Sequence, residues 1–236
     1  MDETKRKAFL ERLSRALGRD GVPETIEPYD HSRGPQHALY RDASQEDIVE
    51  KFKIECDKVG TKFIETAERD LPAVLLEEIK FRGNGKVIYP KCDEISRYGL
   101  DAAFAAASGD EVEFVLWDAD KGREANIDAA QDASVGVTFP VLGIAETATI
   151  LQAADAGSGR SIGLLPLTHI AILRKDAIVP RMTQSMAMLA EAHRNNRASF
   201  PSNLVHISGP SNTADIELVR VVGVHGPINV TFILVG

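Results

Sequence analysis

Cysteine is scarce in this chain: Cys56 and Cys92 are the two that occur in 236 residues, far apart and outside any CxxC pattern. Two thiols are too few for a disulfide framework or for the four thiolates of an iron–sulfur cluster, so both are read as reduced thiols. A basic excess is missing as well, since 27 Lys+Arg face 35 Asp+Glu and leave a net charge of −8. Nucleic-acid binders carry a basic stripe or patch; here the basic residues are scattered, apart from Lys5-Arg6-Lys7, which reads as a solvated helix face. No nucleic-acid partner is expected. Long apolar runs are also absent: the closest, residues 137–145, is interrupted by Pro140 and Gly143, far short of the ~20 residues of a membrane span. The chain opens Met1-Asp2-Glu3-Thr4, with no apolar stretch behind a basic start. No secretory leader is therefore read, a cytoplasmic location is expected, and the sequon Asn229-Val230-Thr231 is without consequence.

Metal and nucleotide motifs are missing in the same way. Histidines stand at 31, 37, 169, 193, 206 and 225, and none forms an HxH or HExxH pair, so no metal is expected. Gly157-Ser158-Gly159 followed by Gly163 has GxGxxxG spacing and runs into a strand-like segment, whereas a dinucleotide fingerprint needs GxGxxG and a helix. A P-loop is not found. No cofactor is expected on this chain.

What is present is the composition of an ordinary folded protein, 44% hydrophobic and 26% charged, with a length that suits one domain and an N-terminal appendage. Phe9, Leu10, Leu13, Ala16 and Leu17 recur at helical spacing and Gly18 is a plausible stop. Residues 19–37, with Gly21, Pro23, Pro28, Gly34 and Pro35, read as an extended connection. The division is therefore residues 1–40, helix and linker, and residues 41–236, the main domain. The first helix is the expected partner-binding or dimer-forming element, and a homo-oligomer is among the expected states.

From Ser44 onward helices and strands alternate. A helix starting at Ser44 or Asp47, strand 62–64, helix 71–79 stopped by Gly83-Asn84-Gly85, strand 86–89, helix 96–107 and strand 112–117 are expected in turn. Strand 112–117 is apolar on both faces, as in a sheet covered by helices on both sides. Beyond Ser134 the pattern turns to β, with apolar segments at 135–139, 148–152 and 162–173, and Ala156-Gly157-Ser158-Gly159 reading as a hairpin or connecting turn. A last long helix over 182–193, a strand at 204–207, a short helix over 215–219 and a strand at 228–235 close the chain. The expected class is α/β, with a mixed central sheet flanked by helices and an N-terminal helical extension.

Two loops offer chemistry. The segment from His206 through Ser208-Gly209-Pro210-Ser211-Asn212-Thr213 to Glu217 runs from an apolar strand through a polar turn toward a helix. Free amides at such a junction suit a carboxylate or phosphate; alternatively Ser211 or Thr213 simply caps the helix. In Gly143-Ile144-Ala145-Glu146-Thr147-Ala148 a carboxylate and a hydroxyl stand between two strands, where Glu146 suits a base, nucleophile or clamp, or a paired turn residue. His169, after Leu164-Leu165-Pro166-Leu167, and His225, in Gly223-Val224-His225-Gly226-Pro227, suit either a cleft or a structural hydrogen bond. The catalytic candidates are Glu146 and His169; the ligand- or anion-binding candidates are Thr147, Ser208, Gly209, Ser211, Thr213 and His225.

Taken together, Gly136-Val137-Thr138 through Glu146-Thr147, Gly157-Ser158-Gly159-Arg160 through Thr168-His169, Ile178-Val179-Pro180, the Ser208 to Glu217 segment and the Gly223 to Pro227 turn resemble the LUD domain in order and spacing. The resemblance covers the C-terminal half closely and the preceding α/β region loosely, and a short chain without cluster cysteines is similar to the LutC/YkgG subgroup. It implies a NagB/RpiA/CoA transferase-like fold. It also implies an accessory place beside two partner subunits, one carrying iron–sulfur cluster cysteines, in the oxidation of L-lactate to pyruvate. Two departures stand out: Ala148 occupies a position where that family often has Gly, and Phe139-Pro140 replace smaller or more polar residues. Two other functions stay open, a stand-alone enzyme or binding protein for a small carboxylate or phosphorylated ligand, and a structural or regulatory interaction module.

Overall fold

The computed structural model describes every residue except 1, 24, 26–29, 31–33, 35, 37, 199, 215–218 and 220. The chain divides into two compact units, Met1–Leu39 and Tyr40–Gly236. The first holds α1 (Glu3–Ala16), capped by Asp2, whose Oδ1 accepts from the Thr4 amide at 3.0 Å. Gly18 lies just past its end at φ +67, the left-handed geometry that stops a helix.

The second unit begins with α2 (Gln45–Val59). Ser44 and Asp47 form a reciprocal capping box, with Asp47 N to Ser44 Oγ at 3.1 Å and Ser44 N to Asp47 Oδ2 at 3.0 Å. β1 (Lys62–Thr66), α3 (Leu71–Phe81), β2 (Gly85–Tyr89), α4 (Asp93–Arg97), α5 (Leu100–Ala107), β3 (Val112–Leu116), α6 (Arg123–Gln131) and β4 (Val135–Thr138) follow in alternation. Then come β5 (Leu142–Ile144), β6 (Thr149–Ala154), the helical turn α7 (Ser161–Leu164), β7 (Thr168–Arg174), β8 (Ile178–Val179), α8 (Met182–Asn195) and β9 (Asn203–Ser208). A short hairpin of β10 (Asn212–Thr213) and β11 (Val221–Val222) precedes β12 (Asn229–Val235).

Six strands form one all-parallel sheet in the order β1-β12-β7-β4-β2-β3. Successive residues of β7 and β12 point to opposite faces, and both faces are dry. Ile170, Ile172, Ile233 and Val235 meet Leu71, Leu75 and Ile79 of α3 and Leu100 and Phe104 of α5. Ala171, Leu173, Phe232 and Leu234 meet Ile48, Val49, Phe52 and Cys56 of α2. Phe52 stacks on Phe232 with centroids 5.7 Å apart and planes 9° from parallel; full burial of each such ring contributes about 1.5–3 kcal/mol. This is why the strands read as apolar runs and not as alternating ones.

The expected α/β class is observed, but the central sheet is all parallel and the antiparallel pairing is confined to the smaller sheets. The second sheet, β8-β5-β6-β9, is the mixed one: β5 runs parallel to β8 and antiparallel to β6, and β6 antiparallel to β9. Leu142, Ile144 and Leu151 fill its core against Val179, Leu189 and Leu204.

Three local readings differ, and a fourth falls largely outside the described residues. The helix expected over 96–107 is two helices, broken at Gly99, which sits at φ +67. The apolar run 162–173 is not one strand: its first part is α7, and of the two alternatives for residues 156–159 it is the connecting turn that is observed, between strands of different sheets. Helix α6 has no counterpart in the sequence reading. The short helix expected over 215–219 falls largely outside the described residues, while Asn212 and Thr213, just before it, pair as a strand with Val222 and Val221.

Candidate functional site

Strand pairing places Glu146. The β5–β8 register pairs Ile144 with Val179, so the turns leaving these strands stand side by side. The Glu146 amide donates to Pro180 O at 3.0 Å, and Arg181 Nε donates to Glu146 Oε2 at 2.7 Å. The two side chains are 34% and 22% exposed, so the pair is accessible. Lys51 of α2 holds its proton more tightly than a free lysine, chiefly through its bond to Glu55, with smaller contributions from Tyr40 and Glu146. The turn thus joins one carboxylate to one guanidinium, a pair able to clamp or exchange a small carboxylate.

The same turn is strained. Residues 145–147 make one turn of 3-10 helix and Ala148 follows at φ +47, ψ +43 with its side chain fully buried. An L-residue in that region carries a cost of about 1–2 kcal/mol that glycine does not. Antiparallel pairing sets Thr149 opposite Ser208. Ser208 Oγ therefore donates to Thr147 O at 2.7 Å, while the Thr147 and Thr149 hydroxyls share a 2.7 Å bond. Glu146, Thr147 and Ser208 are brought together.

The remaining predicted residues are placed elsewhere. Gly209 turns at φ +70, where a Cβ would lie 2.8 Å from Val59 O. Ser211 bonds to the loop before β12, its amide donating to Pro227 O at 2.9 Å and its carbonyl accepting from Gly223 N at 2.8 Å. Gly226 packs on Ser211, where a Cβ would be 3.2 Å from that side chain, and exposed His225 belongs to the same turn. Thr213 lies in β10, so Ser211, Thr213 and His225 make a second polar cluster at the hairpin base. His169 is fully buried under α7, its Nε2 2.7 Å from Thr138 Oγ1 and its Nδ1 without a partner among the described residues. Burial pushes its pKa down to about 4, so the ring is neutral near pH 7. Among the described residues, no hydrogen bond links His169 to the Glu146 turn.

A different cavity was missed in the sequence. Ligands of open α/β sheets bind outside the carboxyl ends of parallel strands, and applying that rule to the turn after residue 207 presumed that its strand belongs to the parallel sheet. It belongs to the mixed one. The carboxyl ends of β2, β4 and β7 instead open on a cavity of about 500 Å³, reached by Tyr98, Phe139, Gln152, Ser158 and Arg174. Gln152 carries no motif, so only the strand order reveals it.

Among the described residues no group of three or more His, Cys, Asp or Glu is placed to hold a metal ion, and no helix is long and apolar enough to cross a membrane. Burial pushes the Cys56 and Cys92 thiols up to about 12, so both stay protonated at neutral pH.

Comparison with known proteins bears on the whole chain. Lactate utilization protein C of Bacillus subtilis is 39% identical over 230 residues, covering 97% of this chain and 95% of the relative. The protein of the same name from Oceanobacillus iheyensis is 36% identical over 230 residues, covering 98% and 97%. A crystal structure of a DUF162 family protein from Deinococcus radiodurans shares the fold, with a TM-score of 0.57 and 23% identity over 82% of this chain and 99% of that one. The family model described as the LUD domain matches residues 49–235, the whole alternating unit but for its first and last few residues, and the chain belongs to the LUD domain family.

Proposed function

We propose that this chain acts in lactate utilization as the cluster-free accessory subunit of a cytoplasmic complex that oxidises L-lactate to pyruvate. The observation that carries this is similarity along nearly the full length of both chains to proteins named lactate utilization protein C, at 36% to 39% identity in the two relatives above. The oxidation removes two electrons and two protons from the hydroxy acid, and the electrons need an acceptor. Two cysteines fall short of the four thiolates of a cluster, which supports placing iron–sulfur clusters on partner subunits.

Within that assignment the ligand-handling part is the turn of Glu146, Thr147 and Ser208 with Arg181: the guanidinium offers a carboxylate its planar fork, and Glu146 is the candidate base. His169 is a neutral residue inside the core, apart from that turn, while Gly209, Ser211, Thr213 and His225 are the neighbouring anion-binding candidates. One observation favours the interaction-module alternative, namely that Ser208 and the Ser211 backbone use their hydrogen bonds within the fold.

The test is purification of the tagged full-length chain from cells grown on L-lactate, alongside a strain lacking its gene. Recovery of an iron-containing, cysteine-rich partner and loss of growth on L-lactate are expected. Normal growth of the deletion strain without any such partner overturns the proposal. Glu146→Gln that leaves the partner bound but stops growth on L-lactate selects the site over the scaffold.

A further inference from the structure

The strand order contains one point of divergence. The chain leaves β2 for β3 at the sheet edge and returns past β2 to β4, so the connections from β2 and β4 part in opposite directions. A crevice outside the carboxyl ends of that strand pair is the general consequence. Here it is the cavity of about 500 Å³, within the range of small-molecule sites.

Its one orphaned polar group is informative. Gln152, on β6, lines the cavity and is 6% exposed. Its Nε2 donates to Ala153 O at 3.1 Å and reaches Ser158 Oγ at 3.5 Å, which fixes the amide orientation. Its Oε1 is buried and has no hydrogen-bond partner among the described residues. A buried acceptor left without a donor is unfavourable, and a ligand donor would relieve it.

Charge selects the kind of donor. Glu94, Asp155 and Asp176 border the cavity against one cation, Arg174. Arg174 is already engaged: its Nε donates to Asp176 Oδ1 at 2.8 Å and its NH2 group to Asp176 Oδ2. Asp155 Oδ1 accepts from the amides of Gly157 at 2.7 Å and Ser158 at 2.8 Å, holding the loop at the rim. An entering anion meets surplus negative charge and, among the described lining residues, no free cation; a cation or a neutral N–H donor is favoured. The apolar part of the wall is aromatic, with Tyr98 and Phe139 rings stacked 6.3 Å apart at 20°.

We infer that the crevice outside the carboxyl ends of β2, β4 and β7 is a binding site for a neutral or cationic organic molecule with N–H donors, and that Gln152 is its acceptor. Lactate and pyruvate, both anions rich in acceptors, do not match it. The inference goes beyond the proposed role and does not depend on it.

Benzamidine and benzoate, two small planar probes of opposite charge, test it by titration into the isotope-labelled full-length chain followed by NMR. Benzamidine is expected to bind saturably and at least about fivefold more tightly than benzoate, a single hydrogen bond's worth. Gln152→Met is expected to weaken benzamidine by about fivefold while the melting temperature holds or rises, because it removes the orphaned acceptor. Glu94→Gln, which leaves the wall's shape unchanged, is expected to weaken it by about twofold or more. If Gln152→Met does not fold, the Glu94 variant and the probe ratio still decide. Equal or tighter benzoate binding, no saturable benzamidine binding, or a Glu94 or folded Gln152 variant that binds as wild type overturns the inference.

Discussion

Arg181 Nε meets Glu146 Oε2 at 2.7 Å, joining the residue after the β8 turn to the turn after β5. With 34% and 22% of the two side chains exposed, water screens the pair, and its worth to stability is about 0.5–1 kcal/mol. Arg181→Ala is therefore expected to lower the melting temperature by no more than about 4 °C, measured by circular dichroism. Growth on L-lactate is expected to fail in the same variant. A large thermal loss with intact growth would reduce the pair to a structural clip.

Glu78 of α3 presents the opposite balance. Its side chain is 2% exposed, yet it accepts from Arg82 Nε at 2.9 Å and Thr231 Oγ1 at 2.8 Å and is bonded by Lys62. Glu78→Gln keeps the shape and removes the charge that both cations face, so a loss of about 3 kcal/mol is expected. Lys62 is 40% exposed, and Lys62→Met should cost under about 1 kcal/mol. Urea unfolding of the two variants gives this order; the reverse order would mean that Lys62, and not Glu78, anchors the network.

How much of this was legible follows from which forces leave a local mark. Helix α2 was readable because Ser44 and Asp47 close a capping box ahead of Ile48, Val49 and Phe52, all within a few residues. The strands of the parallel sheet were readable because both faces are buried and demand apolar runs. The run 162–173 was not resolved for the same reason: buried helix and buried strand look alike without alternation, and only the packing of α7 on Gly136 divides it. Helix α6 offers little apolar signal beyond Ile127, Ala129 and Ala130. At the site, Glu146, Thr147 and Ser208 were found from side-chain chemistry, and pairing across β6 and β9 unites the last two. Arg181 was missed because its partner Glu146 lies 35 residues away, and Gln152 because only the strand order places it beside the cavity.

Gly136 is where that division can be tested. A Cβ added to it would lie 1.8 Å from Ile162 O, a backbone atom of α7 that cannot rotate away. Gly136→Ala must push α7 off β4 or distort the sheet, and a loss of more than about 3 kcal/mol is expected. Gly109→Ala is the control: nothing lies within 4 Å of its Cβ position, so a change of less than about 1 kcal/mol in the stabilising direction is expected. Equal stabilities for the two variants would show that α7 does not rest on β4.

His169 makes stability depend on acidity. Its pKa falls from 6.5 to about 4 because the fully buried ring loses the hydration that an imidazolium needs. Between those values the unfolded chain binds a proton that the folded chain does not, so acid favours unfolding. Above pH 6.5 neither state is protonated there and the stability is complete. It falls by about 1.4 kcal/mol per pH unit as the pH drops through the window, and by about 3 kcal/mol at its lower edge. His169→Gln keeps a polar group facing Thr138 Oγ1 and cannot titrate. The difference in unfolding free energy between wild type and variant, measured in urea from pH 7 to pH 4, should therefore shrink steadily toward acid, while carboxylates contribute equally to both. A constant difference across that range would place the ring in contact with water and remove the premise that it is a core residue.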